Sequence, residues 1–274
     1  MKKLGNLERR EFIELKKQFV HPSTEISQPE QLIGREGPLK RLRTAFEREG
    51  SNPFIWGLRG VGKTSLAHSA CHAYPETVSV GPVVACEANS TIVQLFEDIV
   101  RRQSALNSSF FKDKTIKIKL AGYGFSVETG IGNQTGDLVL NSVNQASDLL
   151  NLLFPPDYEL GKKTAIVIDE FDKLKNRETI TFFTDLAKQL SVDDVAVKLI
   201  FCGVASDFKS LVGAHGSVGR YLTAVELTPM LDDQIWQTAR SIMHNFGLAD
   251  IPQVACHLTR RSPDQACGSS IFYL

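Results

Sequence analysis

Hydrophobic residues along this chain fall into short continuous runs separated by groups spaced at three and four positions. Helical spacing over Ile92–Leu106 and over residues 180–190 predicts amphipathic helices between the runs. A continuous apolar run is typical of a strand covered on both faces of a sheet. The predicted strands are residues 54–56, 78–86, 165–168, 195–201 and 225–227. Strands that alternate with helices predict an α/β fold with a doubly wound, mostly parallel five-stranded sheet.

A different pattern occupies residues 113–130. The stretch 115–120 alternates strictly between polar and apolar residues, and Gly122 and Gly124 follow it before a second short strand pattern. A period of two is typical of a strand with one exposed face, so the sequence predicts a β-hairpin inserted into the main fold. Two interpretations stay open: an insertion without a functional role, or a hairpin that contacts a partner.

These patterns divide the chain into three parts. Residues 1–30 are polar and predict an N-terminal segment that packs loosely, whereas residues 31–230 carry the predicted α/β domain. Residues 231–274 predict a short helical segment, which we interpret as a partial lid from a truncated form of a longer protein.

Charge and cysteine content limit the classes of function. The chain has 31 basic and 31 acidic residues, whereas a protein that holds nucleic acid mainly through phosphates usually has a basic excess. A local patch on or beside the hairpin, at Lys112, Lys114, Lys117 and Lys119, stays open. The five cysteines lack zinc-ligand spacing and fit a reducing compartment. Without a signal-like N-terminus or a long apolar run, we expect a cytoplasmic protein with no membrane contact.

The strongest chemical signal is a glycine-rich loop between the first predicted strand and a predicted helix. Its sequence fits GxxxxGK[ST], in which glycines let backbone N–H groups surround a phosphate. Lys63 would contact the β- and γ-phosphates of a nucleotide, and Thr64 would supply a hydroxyl to Mg²⁺. The candidate nucleotide-binding residues here are Gly57, Leu58, Arg59, Gly60, Val61, Gly62, Lys63, Thr64 and Ser65.

Two carboxylates follow the third predicted strand, at Asp169 and Glu170. Asp169 would hold Mg²⁺ beside Thr64, and Glu170 would activate an attacking water. An activated water would waste the phosphoryl donor of a small-molecule kinase, so the pair favours hydrolysis over transfer. Asp172 is expected to cap the segment that follows rather than bind metal. The sequence has no guanine-reading Asn/Thr-Lys-x-Asp motif, which favours ATP over GTP.

Four segments together resemble an AAA+ ATPase of the kind related to origin-recognition initiators and STAND signalling ATPases. They are the segment 32–36, the glycine-rich loop, the acidic pair and the stretch 199–206. The resemblance implies that Gly34 and Arg35 lie near the adenine and ribose. It also implies that Ser206 senses the γ-phosphate and that Arg220 acts as an arginine finger. Ser206 as a helix N-cap and Arg220 as an ordinary surface residue remain open alternatives.

The resemblance ends beyond the helix predicted from residue 232. The family continues into a helical lid with a sensor-2 arginine and often a winged helix, whereas no such motif surrounds Arg260 or Arg261. We interpret the chain as a Mg²⁺-dependent ATPase that acts as a conformational switch, in a homo-oligomer or with a downstream protein partner. The alternatives are a nucleotide-binding scaffold with negligible turnover and a DNA-binding initiator or transposition-helper ATPase.

Overall fold

The computed structural model describes residues 34–106, 114–121, 124–131, 134–140, 142–155, 161–204 and 218–245. The predictions for the N-terminal segment, for Ser206 and for the chain beyond residue 245 lie outside the described residues. The strands are β1 (Asn52–Trp56), β2 (Val78–Ala85), β3 (Lys114–Ala121), β4 (Gly124–Ile131), β5 (Gln134–Leu140), β6 (Lys163–Asp169), β7 (Val197–Gly203) and β8 (Leu222–Glu226). The helices are α1 (Glu36–Glu47), α2 (Lys63–Ala73), α3 (Ile92–Leu106), α4 (Val143–Leu153), α5 (Arg177–Val192) and α6 (Asp232–Asn245), with single 3₁₀ turns at Phe171–Lys173 and Val218–Arg220.

Five strands form one parallel sheet in the order β2-β6-β7-β1-β8. The order is not the order along the chain. The connections from β1 to β2, from β2 to β6 and from β6 to β7 contain α-helices, as crossovers between parallel strands usually do. The strand that precedes the glycine-rich loop, β1, is separated from the strand that ends in the acidic pair, β6, by β7 alone. Both strands run in the same direction, so their carboxyl ends meet at one edge of the sheet.

The sheet is covered on both faces, as β1 illustrates. Phe54 packs in one hydrophobic cluster against Phe171 and Phe201, whereas the next residue, Ile55, belongs to the cluster on the other face. Successive side chains of a strand point to opposite faces, so a strand that is buried on both sides needs a continuous apolar run. The five predicted strands and the parallel α/β fold are therefore confirmed.

A buried charge joins β7 to the end of α1. The ammonium of Lys198, on the central part of the sheet, donates to the carbonyl oxygens of Ala45, Arg48 and Ser51 at 2.8–3.0 Å. Burial lowers the pKa of Lys198 to about 8. The ammonium thus donates hydrogen bonds to carbonyl groups at and beyond the last turn of α1, where the helix itself offers no donors. No pattern in the sequence marked Lys198 for this role.

The insertion is a three-stranded antiparallel sheet in the order β3-β4-β5 rather than a hairpin. The two predicted strands are present, but the paired region continues to Leu140 instead of ending at residue 130. The strict alternation of β3 is not repeated in β5, which has Gly136 near its centre and three successive apolar residues at its end. A pattern search with period two therefore missed it.

The register of the insertion bears on the basic patch left open above. Lys117 lies level with Glu128 on the neighbouring strand, and Glu128 lies level with Asp137 on the third. Positions in register on one face of a sheet are close neighbours. The row that contains Lys117 therefore holds two acidic positions beside one basic position, which weakens the case for a patch that binds nucleic acid.

Candidate nucleotide-binding site

The glycine-rich loop begins tightly against the sheet. A side chain on Gly57 would collide with the carbonyl oxygen of Leu227, and the Gly57 N–H donates to the Gly203 carbonyl at 3.3 Å. Gly60 and Gly62 have φ values of 79° and 91°, in the left-handed region that favours glycine. The loop then turns directly into α2, whose first N–H groups have no partners within the helix. Such groups attract anions at a helix N-terminus, which is the role predicted for this loop.

The side chain of Lys63 folds along the inside of the same loop. Its ammonium donates to the carbonyl oxygens of Gly57 and Leu58, at 3.1 and 3.0 Å. These contacts place a positive charge beside the loop backbone. A nucleotide phosphate held by the loop would therefore meet the charge of Lys63 as well as the N–H groups of α2.

The loop and the acidic strand meet through one short hydrogen bond. The hydroxyl Oγ1 of Thr64 donates to Oδ2 of Asp169 at 2.6 Å. A hydroxyl and a carboxylate oxygen are hard oxygen ligands of the type that Mg²⁺ takes from proteins, with water and phosphate oxygens supplying the rest. Thr64 and Asp169 therefore fit a Mg²⁺ ion bound together with a nucleotide.

Glu170 follows Asp169 in a sparsely populated backbone conformation. Its φ of 52° is left-handed, and its N–H donates to Oδ1 of Asp169 at 2.7 Å. Its carboxylate forms an ion pair with the ammonium of Lys173. A non-glycine residue in this conformation is retained when its surroundings impose it, and such residues cluster at active sites. The bonds to Asp169 and Lys173 are surroundings of that kind.

Asp172 contacts the glycine-rich loop instead of capping the next helix. Its Oδ2 accepts a hydrogen bond from the Arg59 guanidinium at 3.0 Å. The cap of α5 is Asn176, whose side-chain oxygen accepts from the N–H groups of Glu178 and Thr179. The expectation that Asp172 is a cap is therefore wrong. The 3₁₀ turn places Asp172 several residues before the first free N–H groups of α5.

Arg35 bridges backbone groups on two sides of the loop. Its guanidinium donates to the carbonyl oxygens of Thr228, at 2.7 Å, and of Val61, at 3.0 Å. Burial lowers the pKa of this arginine. The neighbouring Gly34 accepts a hydrogen bond on its carbonyl from Gln234, in the first turn of α6. The position of Gly34 and Arg35 near an adenine stays a prediction. Arg35 joins the loop to the segment after β8, and the neighbouring Gly34 contacts the first turn of α6.

Arg220 lies at the edge of the sheet where the strands begin, whereas the loop of its own chain lies at the edge where they end. It is exposed, and Tyr221 separates it from the start of β8. Leu222 at the start of β8 is level with Asn52 at the start of β1. A rise of about 3.3 Å per residue puts Asn52 about 16 Å from the loop that begins at Gly57. An arginine-finger role for Arg220 stays a prediction, and it would have to serve the site of another chain.

A cysteine beside the acidic pair received no role from the sequence. The N–H of Cys86 donates to the Asp169 carbonyl at 2.9 Å, and its side chain is buried. Burial, together with the negative charges of Asp169, Glu170 and Asp172, raises the pKa of the Cys86 thiol to about 12. The apolar run around Cys86 predicted its burial, but its position beside the acidic strand depends on the pairing of β2 with β6.

None of the helices in the described ranges is both long and apolar enough to cross a lipid bilayer. A search of curated proteins by sequence found no match.

Solved structures with the same fold include three that align over most of this chain. The Walker-type ATPase PABY2304 of Pyrococcus abyssi has a TM-score of 0.56 at 17% identity, covering 86% of this chain and 65% of that one. The ORC2 protein of Aeropyrum pernix has a TM-score of 0.52 at 12% identity, with coverages of 81% and 54%. A structure of Drosophila ORC bound to DNA has a TM-score of 0.51 at 14% identity, with coverages of 98% and 58%. The chain thus spans less than two thirds of each of these proteins.

The similarity to these structures shows the fold, and the sequence itself shows the family. The profile of the AAA ATPase domain family matches residues 31–200, which is more than half of the chain. The matched segment contains the glycine-rich loop and the acidic pair that meet at the edge of the sheet. The chain therefore belongs to the AAA ATPase domain family.

Proposed function

We propose that this chain binds ATP with Mg²⁺, hydrolyses it to ADP and phosphate, and acts as a conformational switch in a cytoplasmic assembly. The observation that carries the proposal is the 2.6 Å contact between Thr64 on the loop and Asp169 on the acidic strand. It brings the candidate phosphate-binding and water-activating residues to one place. Membership of an ATPase family supports nucleotide binding, and the acidic pair supports hydrolysis.

In this proposal each residue has one task. The loop from Gly57 and the ammonium of Lys63 hold the phosphates, while Thr64 and Asp169 hold Mg²⁺. Bound there, Mg²⁺ would neutralise charge on the phosphate oxygens. Glu170 accepts a proton from the water whose oxygen attacks the γ-phosphorus, and the bond to the ADP oxygen breaks.

The contacts of Arg35 support the switch. Arg35 binds the carbonyl of Val61 inside the loop and that of Thr228 after β8, and Gly34 binds Gln234 on α6. A nucleotide that reshapes the loop would change the free energy of these bonds. The start of α6 would then respond to the bound nucleotide, which is what a partner or a further domain could detect.

The proposal is tested by Mg²⁺-dependent ATP hydrolysis of the wild type, Glu170→Gln and Lys63→Ala. Glu170→Gln should retain ATP binding and lose roughly 100-fold or more in turnover, because the proton acceptor is gone. Lys63→Ala should weaken ATP binding roughly 10-fold or more, because a hydrogen-bonded charge on the phosphates is lost. Lys40→Ala, which removes an exposed charge on α1, is the control and should behave like the wild type.

Two results would count against parts of this proposal. Equal turnover in the wild type and Glu170→Gln would remove Glu170 as the base. ATP binding without Mg²⁺-dependent turnover at any protein concentration would favour the alternative, a nucleotide-binding scaffold. The DNA-binding alternative predicts DNA affinity that falls steeply with salt, and the neutral net charge and the register of the insertion disfavour it.

A further inference from the structure

The 3₁₀ turn Phe171–Lys173 is held firmly beside the glycine-rich loop. Phe171 is buried and packs edge-on against Phe54 and Phe201, with ring centroids 6.3 and 5.0 Å away. The next residue, Asp172, is paired with Arg59 of the loop. The turn is therefore fixed both to the core and to the loop, so a side chain on it has a defined position relative to the site.

The last residue of this turn, Lys173, binds Glu170 through both its backbone and its side chain. Its N–H donates to the Glu170 carbonyl at 2.8 Å, and its ammonium pairs with Oε2 of the Glu170 carboxylate. The second carboxylate oxygen, Oε1, has no hydrogen bond to any residue in the described ranges. One oxygen is thus held in place while the other is left to meet water.

The exposure of Glu170 and Lys173 indicates why a restraint on the Glu170 carboxylate would matter. The Glu170 side chain is 44% exposed and that of Lys173 38%, so water reaches the carboxylate. A half-exposed glutamate on its own has several rotamers of similar energy. The pair with Lys173 selects among these rotamers, while an ion pair this exposed contributes little to the stability of the fold.

We propose that Lys173 is a positioning residue for Glu170. Its ammonium holds Oε2 so that Oε1 faces the attacking water, and it acts on turnover rather than on ATP binding. This inference rests on the proposed function, because it needs Glu170 to be the proton acceptor. Within the described residues, Lys173 forms no side-chain hydrogen bond or ion pair with the loop or with the candidate Mg²⁺ ligands, so its effect passes through Glu170.

The test compares kcat, KM and ATP binding of the wild type, Lys173→Ala and Lys173→Arg. We expect Lys173→Ala to lower kcat by up to about 5-fold, with KM and ATP affinity near the wild-type values, because an ion pair this exposed can bias the Glu170 rotamers only by a small factor. Lys173→Arg keeps a cation within reach and should recover most of the activity. Lys175→Ala is the matched control, since Lys175 is exposed, lies two residues further on and forms no ion pair with a described residue.

A second comparison separates positioning from damage to the fold. In the Glu170→Gln background, Lys173→Ala should cause no further loss of turnover, because the residue acts only through the carboxylate. Unchanged or increased kcat in Lys173→Ala, or a further loss in the double variant, would overturn the inference. If the wild type itself turns over no faster than Glu170→Gln, the proposed hydrolysis fails and the role of Lys173 fails with it. If the wild type turns over normally and Lys173→Ala leaves kcat unchanged, the positioning role is refuted while the proposed hydrolysis stands.

Discussion

At the scale of single residues, one carboxylate organises the edge of the sheet. Oδ2 of Asp169 accepts from Thr64, 105 positions away in sequence, while Oδ1 accepts from the N–H of Glu170. A change at Asp169 would therefore disturb the candidate Mg²⁺ site, the loop and the orientation of Glu170 together. The effects of single substitutions within this group should not be additive, because its members share partners.

The reactivity of the Cys86 thiol measures how closely the strands beside the acidic pair are packed. Its thiol pKa of about 12 leaves almost no thiolate at pH 8, and the side chain is buried. Since the thiolate is the species that reacts, we expect iodoacetamide at pH 8 to leave Cys86 unmodified in the folded protein. Peptide mass spectrometry after labelling, with and without urea, would measure this.

The urea-unfolded chain is the control for that experiment, and Cys86 should be modified there. Cys71, whose pKa burial also raises to about 12, should follow the same pattern on the other side of the sheet. Rapid modification of Cys86 in the folded protein would contradict the close packing of β2 against β6.

At the scale of elements, Lys198 determines how α1 meets the sheet. Three carbonyl oxygens near the end of α1 share one ammonium that arrives from β7. Only a few residues separate the end of α1 from β1, and the glycine-rich loop follows β1. The lysine therefore helps to fix the element that precedes the site, even though it lies far from the acidic pair.

Replacing Lys198 with Met should destabilise the fold by roughly 3 kcal/mol. Methionine fills a similar volume, but it leaves three carbonyl groups without their donor. The measurement is the free energy of unfolding in urea at pH 7. Lys188→Met, at an exposed position of α5, is the control and should change it little.

The pH dependence of the free energy of unfolding of the wild type and of Lys198→Met provides an independent check. The pKa of Lys198 falls from 10.5 to about 8 on folding. Between these values the unfolded chain binds more protons at Lys198 than the folded one, so this residue makes the folded state more stable as pH rises. The stability of the wild type relative to Lys198→Met should thus increase from pH 8 to pH 10. A constant difference would contradict the lowered pKa.

At the scale of the whole molecule, the sheet separates Arg220 from the loop of its own chain. The loop follows the carboxyl end of β1, whereas Arg220 precedes β8, which runs parallel to β1. A γ-phosphate bound at one edge is beyond the reach of an arginine at the other. If Arg220 acts on ATP, the site is completed by a neighbouring chain, and turnover depends on assembly.

A mixing experiment tests this arrangement. Arg220→Ala and Lys63→Ala should each be nearly inactive alone, and mixtures of the two should recover part of the wild-type turnover. In a mixed assembly, an intact loop on one chain can meet an intact arginine on the next. Wild-type activity per chain should also rise with protein concentration.

Arg102→Ala, which removes an exposed arginine on α3, serves as the control and should keep wild-type activity. Full activity of Arg220→Ala alone would remove the arginine from the reaction. An inactive mixture of two individually inactive variants would count against an arginine supplied by a neighbouring chain.

Local patterns were enough to propose the parts of the candidate site that depend on neighbours in sequence. The glycines of the loop, Lys63 and Thr64 form one contiguous motif, and Asp169 and Glu170 directly end an apolar run. The five strands were predictable for a similar reason, because burial on two faces demands continuous apolar residues. In the insertion, β5 carried no such pattern and was missed.

Contacts between distant segments could not be read in the same way. The bonds of Asp172 to Arg59 and of Arg35 to the Val61 carbonyl are made by charged residues of types that are also common on solvated surfaces. Lys198 interrupts an apolar run, and only its hydrogen bonds to carbonyl oxygens near the end of α1 explain its burial. In each case the partner is set by which elements the fold brings together.

The sequence by itself determined the α/β class, the strand order along the chain and the nucleotide-binding chemistry, because these depend on periodicity and on short motifs. Only the tertiary structure decided that Asp169 meets Thr64 and that Arg220 lies at the opposite edge of the sheet from its own loop. The physical reason is one of distance. A hydrogen bond needs atoms about 3 Å apart, and for residues far apart in sequence only strand pairing and core packing set that separation.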